Sequence, residues 1–281
     1  MFKIENLLSL FADNNIKSLL LKSYDMSQRE NKGLSDDVFI QLLYLKKNNP
    51  EINIVLDPSK KGSYYDLLEN TVYLTNLSIN AFFHEITHLF SFYFSKFQMP
   101  EEFINLKKRF LASQENTSLA IQLLELIKKT KKQITDWYES LKESESESNI
   151  SNFLKVDYET LCTIEDIIDA IFDGKSFEQG LTYLRNNDEI PITSTKTSGH
   201  GCQYYTSNNL QFEEVLADYQ SIKLTNPNNE LFDILKNILG KDFIIFLDLR
   251  CKIINRRNIE SNIIKFPNLI NDPELINNHI K

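Results

Sequence analysis

The sequence predicts an α+β protein that is mainly helical and has a small mixed β-sheet. Apolar residues recur at helical spacing over residues 7–21, which indicates an amphipathic helix covering one side of a core. The spacing changes to two over residues 52–56 (INIVL), and residues 71–75 (TVYLT) are a second β-rich run. Two or three short strands are therefore expected here. Residues 81–94 return to a helical pattern so apolar that most of the helix must be buried.

Helix start and stop signals predict where these elements begin and end. Residues 35–37 (SDD) favour the start of a second helix, which should end before the turn sequence NNP at residues 48–50. Ser78 can cap the apolar helix, because its hydroxyl can accept a hydrogen bond from a backbone N–H group of the first turn. Pro100 favours the start of another helix, which continues to about residue 132.

We predict one domain over residues 1–281, with a helical insertion over residues 100–155. Inside the insertion, residues 143–149 (ESESESN) are an acidic low-complexity run that is typical of a solvated loop. Helical periodicity resumes before residue 171, and a loop over residues 190–207 leads into one more helix. The apolar face of that helix is formed by Phe212, Val215, Leu216 and Tyr219.

Composition and charge argue against several classes of function. The formal net charge of −8 disfavours non-specific binding of nucleic acid. Three cysteines without a CxxC pair are typical of a chain in a reducing compartment such as the cytosol. No apolar run is long enough for a membrane span, and charged residues interrupt the N-terminal stretch, so no classical signal peptide is predicted. A protein or peptide substrate is compatible with all these features.

The apolar helix contains the pattern His84-Glu85-Ile86-Thr87-His88. Histidines at positions i and i+4 lie on one helix face about one turn apart, as two ligands of one metal ion require. Glu85 is offset by one residue, where its carboxylate could take a proton from water at an open coordination position of the metal. We therefore predict one Zn²⁺ per chain, with His84 and His88 as ligands and Glu85 as the general base.

A catalytic zinc ion needs a third protein ligand, for which Glu214 is the preferred candidate. Glu214 and Asp218 lie one turn apart on one face of the helix that follows the loop. Glu214 could bind the metal while Asp218 orients a histidine through its second ring nitrogen. Glu213 and His200 stay open as alternative third ligands. Acids at helical spacing more often form the exposed face of an amphipathic helix, which is the alternative without metal chemistry.

His200, Tyr204 and Tyr205 are candidate catalytic residues in the loop. His200 lies between two glycines, a setting that allows the backbone to turn tightly. His200 or a tyrosine hydroxyl could donate a hydrogen bond to the oxyanion of a tetrahedral intermediate, which stabilises charge that appears only in the transition state.

The His84–His88 motif, followed by Glu214 with Asp218, resembles the gluzincin-like members of the zincin superfamily of zinc metallopeptidases. The resemblance covers the motif helices and implies hydrolysis of peptide bonds. It also implies a zincin-like α+β fold with a small sheet, whose edge strand binds an extended substrate. Residues 71–75 would be that edge strand.

A looser similarity connects residues 165–174, 199–205 and 214–217 with zincin modules of bacterial toxins, effectors and phage-associated proteins. It implies a protease that acts on a selected protein in a host cytosol, after export without a classical signal peptide. The alternative function is a zinc-stabilised binding or scaffold protein that kept the fold and hydrolyses nothing. An intact Glu85 favours the enzyme, because a purely structural zinc site has no use for a general base.

Overall fold

The computed structural model describes residues 2–95, 101–113, 147–171 and 208–256, with short stretches between residues 118 and 136. Within these residues the protein is mostly helical and has one three-stranded sheet, in agreement with the predicted α+β class. None of the helices in this part of the chain has the length and apolarity needed to span a bilayer. The helices used below are α1 (Ile4–Leu8), α2 (Asn14–Asn48), α3 (Ile79–Ser95), α4 (Glu101–Leu111), α5 (Glu147–Ile171), α6 (Asn208–Thr225), α7 (Glu230–Leu239) and α8 (Lys241–Arg256), and the strands are β1 (Asn53–Leu56), β2 (Tyr64–Asp66) and β3 (Thr71–Leu74).

Polar side chains cap α2 at its start and at an internal break. α2 is separate from α1, because Asp13 caps α2 by accepting a hydrogen bond from the Asn15 N–H group at 2.6 Å. Inside α2, Asn31 has φ −153° and ψ 76°, and its side chain accepts a hydrogen bond from the Leu34 N–H group at 3.3 Å. The helix restarts at Asn31, so the predicted start at residues 35–37 is wrong. Its predicted end at the NNP sequence is confirmed.

The sheet has the strand order β1-β3-β2. β1 pairs with β3 in parallel, with Ile54 opposite Val72, and β2 pairs with β3 antiparallel, with Tyr65 opposite Val72. The sheet is therefore mixed, as predicted. The prediction that residues 71–75 form an edge strand is wrong, because β3 is the central strand and is paired on both sides. The two edges of this sheet are β1 and β2.

Helix α3 packs on β2, β3 and α2. The ring of Phe39 in α2 lies 6.3 Å from the ring of Phe82 and 6.1 Å from that of Phe83. On the sheet, Val72 and Leu74 are fully buried. Because burial of apolar surface stabilises a fold by roughly 25 cal/mol per Å², this packing helps to hold α3 against the sheet and α2.

Packing divides the chain into two compact units. The first comprises Met1–Gln98, Lys223–Thr225 and Leu249–Lys281, and the second comprises Met99–Ile222 and Asn226–Asp248. The organisation as one domain over residues 1–281 stays a prediction.

Aromatic side chains form the core of the second unit. The ring of Phe103 in α4 lies 5.1 Å from that of Phe212 in α6 and 5.8 Å from that of Phe243 in α8. The Tyr219 hydroxyl of α6 donates a hydrogen bond to the Asp248 carboxylate of α8 at 2.8 Å. These contacts join α4, α6 and α8.

The segment predicted as a helical insertion, residues 100–155, contains α4 and the first turns of α5. Residues 143–146 of the acidic run lie outside the described residues, whereas α5 already begins at Glu147, inside that run. The insertion itself stays a prediction.

Candidate metal centre

The helix that carries the HExxH pattern begins at the predicted cap. The Ser78 hydroxyl accepts a hydrogen bond from the Ala81 N–H group at 3.1 Å, and the Ser78 carbonyl accepts one from the Phe82 N–H group at 3.1 Å. The cap satisfies backbone donors that the first turn would otherwise leave open. It fixes the register of α3 and therefore the face on which the two histidines lie.

His84 and His88 are brought together as the spacing predicts. Their Nε2 atoms lie 3.0 Å apart, and their rings are 4.7 Å apart between centroids with an interplanar angle of 76°. Two nitrogen ligands of a tetrahedral zinc ion, each about 2.0–2.1 Å from the metal, are separated by about 3.3–3.4 Å. The observed distance is close to that value, so the two imidazoles fit one zinc ion with only a small adjustment.

Glu85 belongs to the same group of side chains. The ligand atoms of His84, Glu85 and His88 all lie within 4.8 Å of one another. The Glu85 carboxylate is largely buried, with 6% of the residue exposed, while both histidines are partly exposed. A carboxylate that lies beside two imidazoles and is largely shielded from solvent is suited to proton transfer.

The two histidines lie on a partly exposed face of α3. Ala81, His84 and His88 are partly exposed, and these positions share one helix face. The residues between them, from Glu85 to Thr87, are buried. The two imidazoles therefore share the partly exposed face of α3.

In the second unit, α6 places Glu214 and Asp218 together. Their carboxylate oxygens lie within 4.8 Å of each other, and only 2% and 3% of the two residues are exposed. Every residue of α6 from Gln211 to Ile222 is buried. The alternative that these acids form an exposed helix face is therefore wrong. Glu213 is also buried, but it is adjacent to Glu214 in sequence and so lies on a different side of the helix.

Two buried carboxylates at this distance favour the presence of a cation. Two unit charges at most 4.8 Å apart repel each other by about 3.5 kcal/mol or more at an effective dielectric constant of about 20. Removal from water adds a further penalty on each charge. A metal ion or a buried ammonium group offsets both effects, so the chemistry of Glu214 and Asp218 fits a metal ligand and its neighbour.

Asn70 anchors α3 to the sheet from the first residue before β3. Its side-chain oxygen accepts a hydrogen bond from the Tyr65 hydroxyl at 2.9 Å, and its side-chain nitrogen donates one to the Tyr93 hydroxyl at 2.8 Å. Burial raises the pKa of both tyrosines above 10.0, so their hydroxyls stay protonated at neutral pH. Asn70 has φ 50°, a left-handed conformation that asparagine tolerates better than most residues. The network holds the helix that carries the histidines.

Three of the predicted site residues, His200, Tyr204 and Tyr205, lie outside the described residues. Their roles stay predictions. The structure adds residues that the sequence did not single out, namely Asn70 and the buried pair Lys107 and Gln211. Asn70 precedes a β-rich run in a Glu-Asn turn sequence, a signal that could have been used, whereas Lys107 lies in a lysine-rich stretch without any distinguishing pattern.

Comparisons of the chain with protein-family models, with curated proteins and with solved structures found no match. No family is therefore assigned to the chain. Its function has to be inferred from the side chains described above.

Proposed function

We propose that the protein is a zinc-dependent metallopeptidase that hydrolyses peptide bonds of a selected protein substrate. The observation that carries the proposal is the His84–His88 pair, whose Nε2 atoms lie 3.0 Å apart on the partly exposed face of α3. Glu85 lies in the same group of ligand atoms. A HExxH helix with this geometry offers two ligands and a general base, which is more than a structural metal site requires.

We propose Glu214 as the third ligand and Asp218 as the residue that orients a histidine ligand. Two imidazoles leave a catalytic zinc ion one protein ligand short. Burial of both carboxylates side by side on α6 supports a role with a cation. Glu213 is less suited, because it lies on a different side of α6 from Asp218. His200 remains the alternative from the loop.

Each proposed site residue has its own part in the hydrolysis of the peptide bond. A bound zinc ion would polarise the scissile carbonyl and lower the pKa of water at its open position. Glu85 takes a proton from the attacking water as the oxygen bonds to the carbonyl carbon. The carbon–nitrogen bond then breaks, and Glu85 passes the proton to the departing amine. His200, Tyr204 or Tyr205 would donate a hydrogen bond to the oxyanion.

The proposed setting is a host cytosol, reached by export from a bacterium, and the proposed substrate is one chosen protein. The helical insertion over residues 100–155 would restrict access to the site, which suits a narrow substrate range. This part of the proposal depends on the similarity to toxin and effector modules. Cleavage of many unrelated unfolded proteins would contradict it.

Proteolysis of a cell lysate by wild-type protein and by Glu85→Gln tests the enzymatic proposal. Glutamine is close to glutamate in size but cannot take the proton, so the variant should keep its zinc and lose most turnover. A protein band that disappears only with the wild type would support the proposal and identify the substrate. Bound zinc with no difference between the two proteins in any lysate would favour the zinc-stabilised scaffold instead.

A further inference from the structure

We infer that Lys107 is a positioning residue of the candidate metal centre, whose buried ammonium group balances the charge of Glu214 and Asp218 when no metal is bound. The inference rests on the proposed function, because it concerns the carboxylate proposed as the third ligand. Lys107 belongs to α4, in the segment predicted as a helical insertion. That segment would then supply a charged group beside the carboxylates of α6.

Lys107 is a buried lysine on α4. Only 6% of the residue is exposed, and its Nζ atom donates a hydrogen bond to Oε1 of Gln211 in α6. Lysine is almost never buried to this extent unless its charge is paired. The amide oxygen of Gln211 is a neutral acceptor and cannot balance a full positive charge. We therefore expect an anionic side chain close to Nζ.

Gln211 shares one face of α6 with two acidic residues. Positions i+3 and i+7 from Gln211 are Glu214 and Asp218, and these spacings keep all three side chains on one helix face. All three residues are buried. Glu213 is two positions from Gln211 and lies on a different side of the helix. Glu214 is therefore the anionic side chain on the Gln211 face nearest in sequence.

Aromatic packing holds α4, and with it Lys107, against α6. Phe103 lies one turn before Lys107 on α4, and Phe212 is the neighbour of Gln211 on α6. The two rings are in contact, with centroids 5.1 Å apart and an interplanar angle of 57°. The aromatic pair fixes α4 against α6, so the lysine is presented to the acidic face by a rigid contact.

A bound metal ion would change the charge balance at Glu214 and Asp218. A divalent cation brings two positive charges to the carboxylates, so it replaces the stabilisation that the ammonium group provides. Lys107 should therefore matter more in the metal-free protein than in the metal-bound protein. A lysine that only fills space between α4 and α6 would contribute equally to both states.

A double-mutant cycle in the metal-free protein tests the inference. Urea unfolding in the presence of a chelator is measured for wild type, Lys107→Met, Glu214→Gln and the double variant. Lys107→Met should lower the urea midpoint in the wild-type background by clearly more than in the Glu214→Gln background. An equal loss in the two backgrounds would overturn the inference. Lys108→Met, on an exposed neighbour, is the matched control and should leave the midpoint unchanged.

Two further measurements keep the test decisive. If Lys107→Met does not fold, Lys107→Gln takes its place in the cycle, and Lys107→Arg, which keeps the charge, should preserve the coupling to Glu214. The rise in melting temperature on adding zinc should be larger for Lys107→Met than for wild type. A protein that binds no zinc would contradict the proposed function, while the coupling measured with chelator would still decide the role of Lys107.

Discussion

Removal of the Asn70 side chain tests how α3 is held in place. Asn70→Gly deletes a part-buried hydrogen bond of 2.9 Å to Tyr65 and a buried one of 2.8 Å to Tyr93, without a steric penalty at φ 50°. At about 1 kcal/mol for each bond, and more where a buried hydroxyl loses its partner, the free energy of unfolding should fall by about 2–4 kcal/mol. Asn70→Ala should lose roughly 1 kcal/mol more, because alanine is disfavoured in the left-handed region.

Equilibrium urea unfolding measures both variants, with the slope of the transition compared to confirm two-state behaviour. A loss below about 0.5 kcal/mol for Asn70→Gly would refute the anchoring role, since that is the range of ordinary surface substitutions. Equal stability of the glycine and alanine variants would show that the left-handed backbone at residue 70 does not disfavour alanine. If the Asn70 variants lose stability and also bind zinc more weakly, the Asn70 hydrogen bonds also help to position the histidines on α3.

Three further predictions concern the cap, the tyrosines and the acidic helix. Ser78→Ala should lower the free energy of unfolding by about 1 kcal/mol, whereas Ser78→Asp should keep the cap, as urea unfolding would report. Because burial raises the pKa of Tyr65 and Tyr93 above 10.0, the unfolded chain loses these protons first. Stability should therefore fall as the pH rises above about 10, and less steeply in the Tyr→Phe variants. Asp218→Asn should weaken zinc binding about 10–100-fold in a chelator competition, with Glu213→Gln unchanged.

Features that depend on neighbours in sequence could be predicted from the sequence. The cap at Ser78, the helix after it and the juxtaposition of His84 and His88 all follow from local hydrogen bonding and from the helical repeat. The β-rich runs were also recognisable, because alternation of apolar residues is a local pattern. These elements include the part of the candidate centre on α3.

Features that depend on contacts between distant segments could not be predicted in the same way. The runs over residues 52–56 and 71–75 gave no information on strand order, so β3 was expected at an edge and is central. The acids of α6 could have faced solvent, and only the folded structure shows that Glu214 and Asp218 are buried. The sequence around Lys107 does not indicate that this residue is buried. Burial of a lysine depends on a partner from another segment of the chain, and the local sequence does not show that partner.

The zinc content of the purified protein tests whether His84 and His88 hold a metal ion. Wild type, His84→Ala and the matched control His279→Ala, which changes a histidine outside the motif, are dialysed against buffered zinc and measured by mass spectrometry. We expect one zinc ion per chain in wild type and in His279→Ala, and its loss in folded His84→Ala. A folded wild type without zinc, or zinc retained fully in His84→Ala, would contradict this expectation.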